Sequence, residues 1–399
     1  MEPKIRFKGF DGEWKTPSIG EVFELRNGYT PSKAVNEFWE GGTIPWFRME
    51  DIRTNGGILK DAIQHITPLA VKGAGLFEKN SIILATTATI GVHAMLIADS
   101  LANQRFTNFR VRKSLSNSYI DNFLYYSFFN IDEWSKKNTN SGGLLSVNMP
   151  LLVKQPLYSP CKQEQQAIAS YFTSLDSQIS ASTSRLASLK QMKAASLQAM
   201  FPQEGETVPK IRFKGFEGEW KKVKLGKLFS ERIENNVDGE MLSVTMNNGI
   251  IKAAENGRFD NSNSDKSKYK VVKVGDIAYN SMRMWQGASG CSQYEGIVSP
   301  AYTVVVPNAN IHSLFFAYLF KTIPMINLFR LHSQGLTKDT WNLKYPAFSI
   351  IEVSYPESKA EQQAIASYFT SLDRQISLQS QRLEKLKQIK SACLDKMFV

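Results

Sequence analysis

Cysteine is scarce in this chain, and the spacing of the few cysteines excludes two common kinds of protein. Only Cys161, Cys291 and Cys393 occur among 399 residues, and no two of them have Cys-x-x-Cys spacing. Neither a disulfide framework nor a cysteine zinc site is indicated, and we expect a reducing, cytoplasmic compartment. The most apolar stretches, 123–129 and 314–320, are too short to span a bilayer, so we expect no membrane partner.

Signatures of catalysis are also missing. The four histidines lack helical metal-ligand spacing, and neither His-Glu-x-x-His nor Gly-x-x-x-x-Gly-Lys-Ser/Thr occurs. No Pro-Pro dipeptide exists, which removes the Asn-Pro-Pro-aromatic signature of base-methylating enzymes. No Pro-Asp exists to begin the common nuclease pattern. We therefore expect no catalytic residue, no metal ion and no cofactor in this chain.

The charge balance indicates a polyanionic partner. Lys and Arg number 48 against 37 Asp and Glu, which gives a formal net charge of +11. Nucleic acid is the commonest partner of such a protein. On charge alone, a basic protein without such a partner is an equal alternative.

Two segments of the chain occur twice. Residues 3–14 read PKIRFKGFDGEW and 209–220 read PKIRFKGFEGEW, while 164–180 and 361–377 also differ at one position only. The stretches between these copies barely resemble each other. The repeats predict a pseudo-two-fold molecule that carries two different modules. We call 3–14 and 209–220 the opening motifs; they would pack each module onto the repeated part, although Lys4, Arg6 and Lys8 could equally contact phosphates.

A long helix is expected in each half, because no Gly or Pro follows Glu164 until Pro202, and none follows Glu361. An apolar seam at coiled-coil spacing favours antiparallel pairing of the two long helices with each other. The alternative is that each helix packs on its own domain. Polar residues (Ser182, Lys193, Gln379 and Lys390) interrupt the seam and leave room for a third partner. The seam residues that we assign to subunit docking are Leu175, Ile179, Leu186, Leu189, Leu372, Ile376, Leu383 and Leu386.

The variable modules are predicted to be mixed α/β domains. Strands are expected at 81–89 and 106–112 in the first module and at 276–283 and 301–306 in the second, with short helices at 119–134 and 311–320. The predicted fold is α+β, with two such domains and two long helices that form an antiparallel coiled coil. The predicted boundaries are 1–163 and 203–360 for the two modules and 164–202 and 361–399 for the two helical regions.

Candidate DNA-contacting side chains lie in the loops of both modules. Arg pairs with guanine and Asn or Gln with adenine, whereas Ser, Thr and Lys more often hold phosphates. For any single residue, a solvated loop position is an equally good interpretation. The candidates are Arg26, Asn27, Tyr29, Thr30, Lys33, Arg48, Thr87, Thr89, Asn103, Gln104 and Arg105 in the first module, and Asn247, Asn248, Asn280, Arg283, Trp285, Gln286, Lys338 and Asn342 in the second.

The repeated Glu-Gln-Gln-x-Ile-Ala-x-Tyr-Phe and the opening motifs, around two divergent modules, resemble the specificity subunit of type I restriction–modification systems. The resemblance implies two target recognition domains, each binding one half of a bipartite, asymmetric site on double-stranded DNA. It also implies helical regions that dock two methyltransferase subunits, which use S-adenosylmethionine. Restriction/motor subunits of the complex would use ATP and Mg. The chain itself would be non-catalytic.

Two other classes of protein remain as alternatives to this interpretation. A structural adaptor would bridge partner proteins through its helices without reading DNA, which the net charge of +11 disfavours. A free-standing methyltransferase or nuclease would need catalytic signatures that the sequence lacks.

Overall fold

The computed structural model describes residues 2–140, 145–246, 248–256, 265–338 and 340–399. The chain forms two compact units, one of residues 1–183 with 382–399 and one of residues 184–381. Each unit contains one module, the first part of the long helix that follows this module, and the last part of the other long helix. We call them unit 1 and unit 2.

The module of unit 1 is mixed α/β. Its helices are α1 (Ile19–Val22), α2 (Met49–Asn55), α3 (Asp121–Lys137) and α4 (Met149–Leu152). Its strands are β1 (Phe23–Asn27), β2 (Ile44–Phe47), β3 (Ile58–Leu59), β4 (His65–Ile66), β5 (Ile82–Ala85), β6 (His93–Leu96), β7 (Leu101–Ala102), β8 (Phe106–Val111), β9 (Thr139–Asn140) and β10 (Ser146–Val147). The long helix α5 (Lys162–Ala199) follows.

A five-stranded sheet of order β1-β8-β5-β6-β3 is the centre of unit 1, and β4-β2-β7 form a second sheet. All four residues of β5 are buried, because alternate side chains point to opposite faces of the sheet and both faces are covered. Ile82 and Leu84 join a core with Phe128 of α3, whereas Ile83 and Ala85 join a second core with Phe47 of β2.

The module of unit 2 is also mixed α/β. Its strands are β11 (Lys221–Lys224), β12 (Phe229–Glu231), β13 (Leu242–Thr245), β14 (Gly249–Lys252), β15 (Lys270–Val272), β16 (Ile277–Asn280), β17 (Ser289–Cys291), β18 (Gly296–Val298), β19 (Tyr302–Pro307) and β20 (Glu352–Tyr355). Its helices are α6 (Leu225–Leu228), α7 (Ser313–Leu319), α8 (Ile323–His332) and α9 (Tyr345–Ser349), and the long helix α10 (Lys359–Met397) ends the fold.

The central sheet of unit 2 repeats that of unit 1. Its order β12-β19-β16-β17 corresponds to β1-β8-β5-β6. The side chains of β16 alternate in the same way as those of β5, with Ile277 in one core and Ala278 in the other. The two modules therefore share a fold although their sequences have diverged.

The predicted strands and short helices are confirmed, but two strands are shorter than expected. The strand expected at 276–283 ends at Asn280. The strand expected at 81–89 ends at Ala85, because the chain turns at Thr86–Thr89 and Ala88 takes a φ of 64°. A positive φ is unfavourable for an L-residue with a side chain and does not occur in regular strands. The remaining expected elements correspond to β8, β16, β19, α3 and α7.

The long helices pair antiparallel within each unit, as the seam predicts. In unit 1, Phe172 near the start of α5 packs on Phe398 after the end of α10, with ring centroids 5.8 Å apart. In unit 2, Phe369 of α10 stacks on Phe201 after α5, at 5.8 Å. The first part of each helix therefore contacts the last part of the other.

Six of the eight seam residues are buried or packed within the chain, so they are not free for the expected docking role, whereas the docking role of Ile179 and Leu186 stays a prediction. Leu175 belongs to the core of unit 1, and Leu189 and Leu372 belong to that of unit 2. Leu383 is 8% exposed, and Leu386 and Ile376 pack against these cores. Ile179 and Leu186 are half-buried. Coiled-coil spacing identifies an apolar seam but not the surface that covers it.

The lysines that interrupt the seam have partners inside the chain. In unit 1 the Nζ of Lys390 lies 2.5 Å from Oδ1 of Asp176, whose Oδ2 accepts a hydrogen bond of 2.8 Å from Tyr126. In unit 2 the corresponding residues are Lys193, Asp373 and Tyr318, with distances of 2.5 and 2.9 Å. Burial raises the pKa of both tyrosines, so their hydroxyl groups stay protonated and donate. Each cluster joins the helix pair to its module.

Among the described residues, no single helix has the length and hydropathy of a membrane span. Taken together, α7 and α8 would meet that criterion by length and composition, but they are bent by 82°.

Candidate nucleic-acid interface

Four segments of unit 1 meet at one end of its two sheets. Backbone hydrogen bonds join them in sequence: Gly28 N–H to Phe106 O at 2.8 Å, Asn103 N–H to Phe47 O at 3.0 Å, and Thr86 N–H to Arg105 O at 2.9 Å. We call the candidate side chains on these segments the first loop cluster. Its members are Asn27, Thr30, Arg48, Thr87, Thr89, Asn103, Gln104 and Arg105.

Gly28 makes this close approach possible. A Cβ at this position would lie 2.3 Å from the carbonyl oxygens of both Ala102 and Asn103. Real Cβ atoms do not approach backbone oxygens so closely, so a side chain at this position would push the segment 27–30 away from 102–105.

The amide side chains of the first loop cluster have their oxygen atoms bound within the protein. Asn103 Oδ1 accepts from the backbone N–H of Arg105 at 3.0 Å, and Asn27 Oδ1 accepts from Thr107 at 2.9 Å. Thr30 donates in the same way to Oε1 of Gln104. The NH₂ groups of these residues remain as donors, beside the exposed guanidinium of Arg105.

Arg48, Thr87 and Thr89 complete the first loop cluster, and all three are half-buried. Arg48 lies at the N-terminus of α2, with an ion pair to Glu50 at 3.2 Å. Its Nε is buried and has no hydrogen-bond partner among the described residues. Lys33 is exposed on the segment that follows Thr30.

Two candidates of the first module, Arg26 and Tyr29, make hydrogen bonds inside the protein, and their role in DNA contact stays a prediction. Arg26 donates to the carbonyl oxygens of Ala74 and Gly75, and its guanidinium carbon lies 4.7 Å from the ring centroid of Phe77. Burial lowers the pKa of Arg26 from its ordinary value. The Tyr29 hydroxyl donates to Ala70 O at 3.1 Å and accepts from Lys72 N–H at 2.9 Å. Both side chains hold the loop at 70–75, which makes them weaker candidates for a base contact than the members of the first loop cluster.

In unit 2 the candidates also gather at one end of the central sheet. Asn280 ends β16, Leu343 N–H donates to Ser281 O at 2.8 Å, and Trp285 packs edge-to-face on Trp341 with centroids 5.3 Å apart. Arg283, Gln286 and Lys338 are exposed, and so is Asn248 at the tip of the β13–β14 hairpin. We call Asn248, Asn280, Arg283, Trp285, Gln286, Lys338 and Asn342 the second loop cluster. Asn247 lies outside the described residues.

Asn280 and Asn342 differ in how their oxygen atoms are satisfied. Asn280 Oδ1 accepts from the backbone N–H of Met282 at 3.0 Å, so its amide orientation matches that of Asn103 in unit 1. Asn342 Oδ1 is buried and has no partner among the described residues. Because this oxygen atom is not accessible, Asn342 is a weaker candidate for an outward contact.

Lys321 joins two of the segments that carry the second loop cluster. The sequence did not indicate this role. Its ammonium group donates to the carbonyl oxygens of Met246 at 2.9 Å and of Gly287, so it joins the hairpin tip to the 283–287 loop. Burial lowers its pKa to about 8, and the positive charge of Lys193 contributes to this shift. The acceptors of Lys321 are backbone carbonyl groups of two segments far away in the sequence. Every residue has a carbonyl group, so no sequence motif marks such a lysine.

Comparison with known proteins gives the same family for both halves. The family model described as the type I restriction modification DNA specificity domain matches residues 11–191 and 217–388. The type I restriction enzyme EcoprrI specificity subunit of Escherichia coli is 47% identical over 153 residues, which cover 38% of each chain. The MjaIX specificity subunit of Methanocaldococcus jannaschii is 30% identical over 171 residues, 41% of this chain and 38% of that one. The matches thus span less than half the length of these relatives.

Solved structures share the fold along the whole chain. The S subunit of a type I restriction-modification system from M. genitalium superposes with a TM-score of 0.59 at 15% identity, covering 100% of this chain and 99% of that one. A second solved structure, which concerns the complex assembly and conformational transition of the type I R-M system, superposes with a TM-score of 0.54 at 14% identity. The match covers 98% of this chain and 99% of that one. With the family model matched in both halves, the chain belongs to the type I restriction–modification DNA specificity family.

Proposed function

We propose that this chain is the DNA sequence-recognition subunit of a type I restriction–modification complex. Each module would bind one half of a bipartite, asymmetric DNA site through its loop cluster. The observation that carries the proposal is the repeated sheet, which has the same four-strand order in both units but carries different hydrogen-bonding side chains at its end. A shared scaffold with two unlike recognition surfaces suits a site with two unlike halves.

The chemistry of the loop clusters supports contact with DNA. Amide and guanidinium donors fit the acceptor atoms of base edges in the major groove, such as guanine O6 and N7. Arg105, Lys33, Arg283 and Lys338 are exposed cations that can also neutralise phosphates. The net charge of +11 favours the same partner.

Docking of two methyltransferase subunits is assigned to the exposed faces of the long helices. Several residues of the helix repeats are both exposed and identical between the copies: Gln166 and Gln363, Ser170 and Ser367, Thr173 and Thr370, Ser174 and Ser371, Gln178 and Gln375. In unit 1 these residues line a groove of about 450 Å³ beside Asn122. Two identical surfaces suit two copies of one partner.

The chain would be non-catalytic within this complex. The methyltransferase subunits would supply S-adenosylmethionine chemistry, and restriction/motor subunits would supply ATP- and Mg-dependent cleavage. The sequence supports this division of roles, because no signature of base methylation or ATP binding occurs in it.

Exchange of one module tests the proposal directly. Residues 15–150 are replaced by the corresponding module of another family member, and the methylated sequence is mapped across a genome that carries the complete system. We expect one half-site to change and the other to stay the same. A simultaneous change in both half-sites would contradict separate recognition by the two modules.

Binding to random and cognate duplexes at two salt concentrations separates this function from that of an adaptor. Because the binding of random DNA rests on phosphate contacts, it should weaken steeply as salt rises, while cognate DNA stays bound. An adaptor that does not read DNA would show no difference between the two duplexes.

A further inference from the structure

We propose that the two opening motifs form a second docking surface for the same two partner subunits, apart from the exposed helix faces. The surface consists of Lys4, Ile5 and Lys8 in unit 1 and of Lys210, Ile211 and Lys214 in unit 2. This inference rests on the proposed function, since the partner is its methyltransferase subunit.

The fold explains the identity of several other residues of the motifs. Arg6 forms a bidentate ion pair with Glu164, and Arg212 forms the same pair with Glu361. Trp14 and Trp220 are 3% and 2% exposed. Phe7 packs edge-to-face on Tyr171 in unit 1, and Phe213 packs in the same way on Tyr368 in unit 2. These contacts show that the motif packs its module onto the long helices, as the sequence predicts.

The fold does not explain the identity of Lys4, Ile5 and Lys8. The Ile5 side chain is 46% exposed and that of Ile211 is 58% exposed. All four lysines are exposed, and no ion pair involves them within the part of the chain that the structure describes. These side chains are the same in both copies, although the modules beside them have diverged. A partner that meets both copies accounts for this.

A backbone hydrogen bond at the isoleucine ties each motif to the end of a long helix. Ile5 N–H donates to Lys396 O at 2.9 Å near the end of α10, and Ile211 N–H donates to Ala199 O at 2.8 Å at the end of α5. A cation near a helix C-terminus is favourable because of the helix dipole, which gives the lysines a small structural role. The dipole offers no reason for an exposed isoleucine between them.

The pattern of charge and apolarity identifies a protein surface as the partner. An isoleucine between two lysines fits an apolar contact that is surrounded by carboxylates. DNA phosphates would pair with the lysines but would make no favourable contact with the isoleucine. The patch lies beside α5, because Phe7 of the same motif packs on Tyr171 of that helix.

Ile5→Ser and Ile211→Ser test the proposal in the full-length chain, alone and together. The probe is the recombinant methyltransferase subunit of the same restriction–modification system, and sedimentation velocity over a concentration series gives stoichiometry and affinity. The matched control is Ile63→Ser with Ile233→Ser, because Ile63 and Ile233 are 52% and 81% exposed, one in each unit, outside the motifs.

We expect each single motif variant to weaken the binding of one partner subunit about tenfold, and the double variant to weaken both. The control should bind as the wild type does, and thermal unfolding should be unchanged in all variants. Wild-type affinity of the double variant would overturn the proposal. Failure of the wild-type chain to bind the subunit would instead refute the proposed function.

Discussion

The guanidinium of Arg6 donates two hydrogen bonds, of 2.8 and 2.7 Å, to the carboxylate of Glu164 at the start of α5. The Glu164 side chain is 1% exposed and that of Arg6 is 15% exposed. Hydrogen bonding to Glu164 raises the pKa of Arg6. Arg212 and Glu361 repeat the pair in unit 2, with distances of 2.7 and 2.8 Å. One ion pair thus fastens each opening motif to the long helix of its unit.

Removal of Arg6 should destabilise unit 1 strongly. Arg6→Leu leaves a buried carboxylate without its partner, and such a change costs about 3–5 kcal/mol. Urea unfolding monitored by tryptophan fluorescence measures this loss. The double variant Arg6→Leu with Glu164→Leu should recover much of it, because no unpaired charge remains. A loss below about 1 kcal/mol for Arg6→Leu would show that the pair is not needed for stability.

A fragment of residues 1–204 should form a homodimer through its helix. In unit 1, Asp176 pairs with Lys390 from the other half, but the fragment carries the equivalent Lys193. Two fragments can therefore form both Asp–Lys pairs reciprocally, in a closed two-fold dimer. Analytical ultracentrifugation should detect a dimer that binds a palindrome of the first half-site.

The charge pair itself provides the control for this fragment. Asp176→Lys should weaken the dimer because it places two like charges together, and Lys193→Asp in addition should restore it. A wild-type fragment that stays monomeric while folded would contradict the mutual pairing of the helices.

The sequence predicted those parts of the fold that depend on local pattern. The strand β5 is apolar at every position because both faces of the sheet are covered, and α5 is long because no Gly or Pro occurs before Pro202. The pattern could not show what covers each side chain. Leu175 and Leu189 looked available for a partner but are buried by the chain's own helices and modules.

The candidate interface was predicted from residue types alone, and residue type does not show which side chains make contacts inside the protein. Arg26 has the side chain of a base-reading residue, yet two of its N–H groups donate to the carbonyl oxygens of Ala74 and Gly75. Those acceptors are brought to Arg26 by the tertiary fold, and no local pattern around Arg26 encodes them. Lys193 and Lys390 looked like interruptions of an apolar seam, whereas each pairs with an aspartate that belongs to the other helix.

The buried ammonium of Lys321 should make the stability of unit 2 depend on pH. Its folded pKa is about 8, lower than that of an exposed lysine because of burial. Between about pH 8 and pH 10 the unfolded chain binds more protons than the folded one, so the free energy of unfolding should rise with pH. We expect a rise on the order of 1–3 kcal/mol.

Urea unfolding at a series of pH values measures this rise, and Lys321→Met should abolish it. Lys338→Met is the control, because Lys338 is exposed in the same unit. An identical rise in the Lys321→Met variant would show that other groups cause the pH dependence.

Asn103 and Asn280 should each contribute to the recognition of one half-site. A backbone N–H can only donate, so Asn103 must turn its oxygen to Arg105 and Asn280 its oxygen to Met282, and both NH₂ groups are left as donors. Aspartate keeps the accepting oxygen but replaces the donor with a negative charge. Asn103→Asp should therefore weaken binding at the first half-site by about 1–3 kcal/mol, and Asn280→Asp at the second. Mobility shifts on duplexes with one half-site scrambled separate the two effects. The role of Asn103 is refuted if its variant loses as much affinity for DNA that lacks the first half-site as for the intact site.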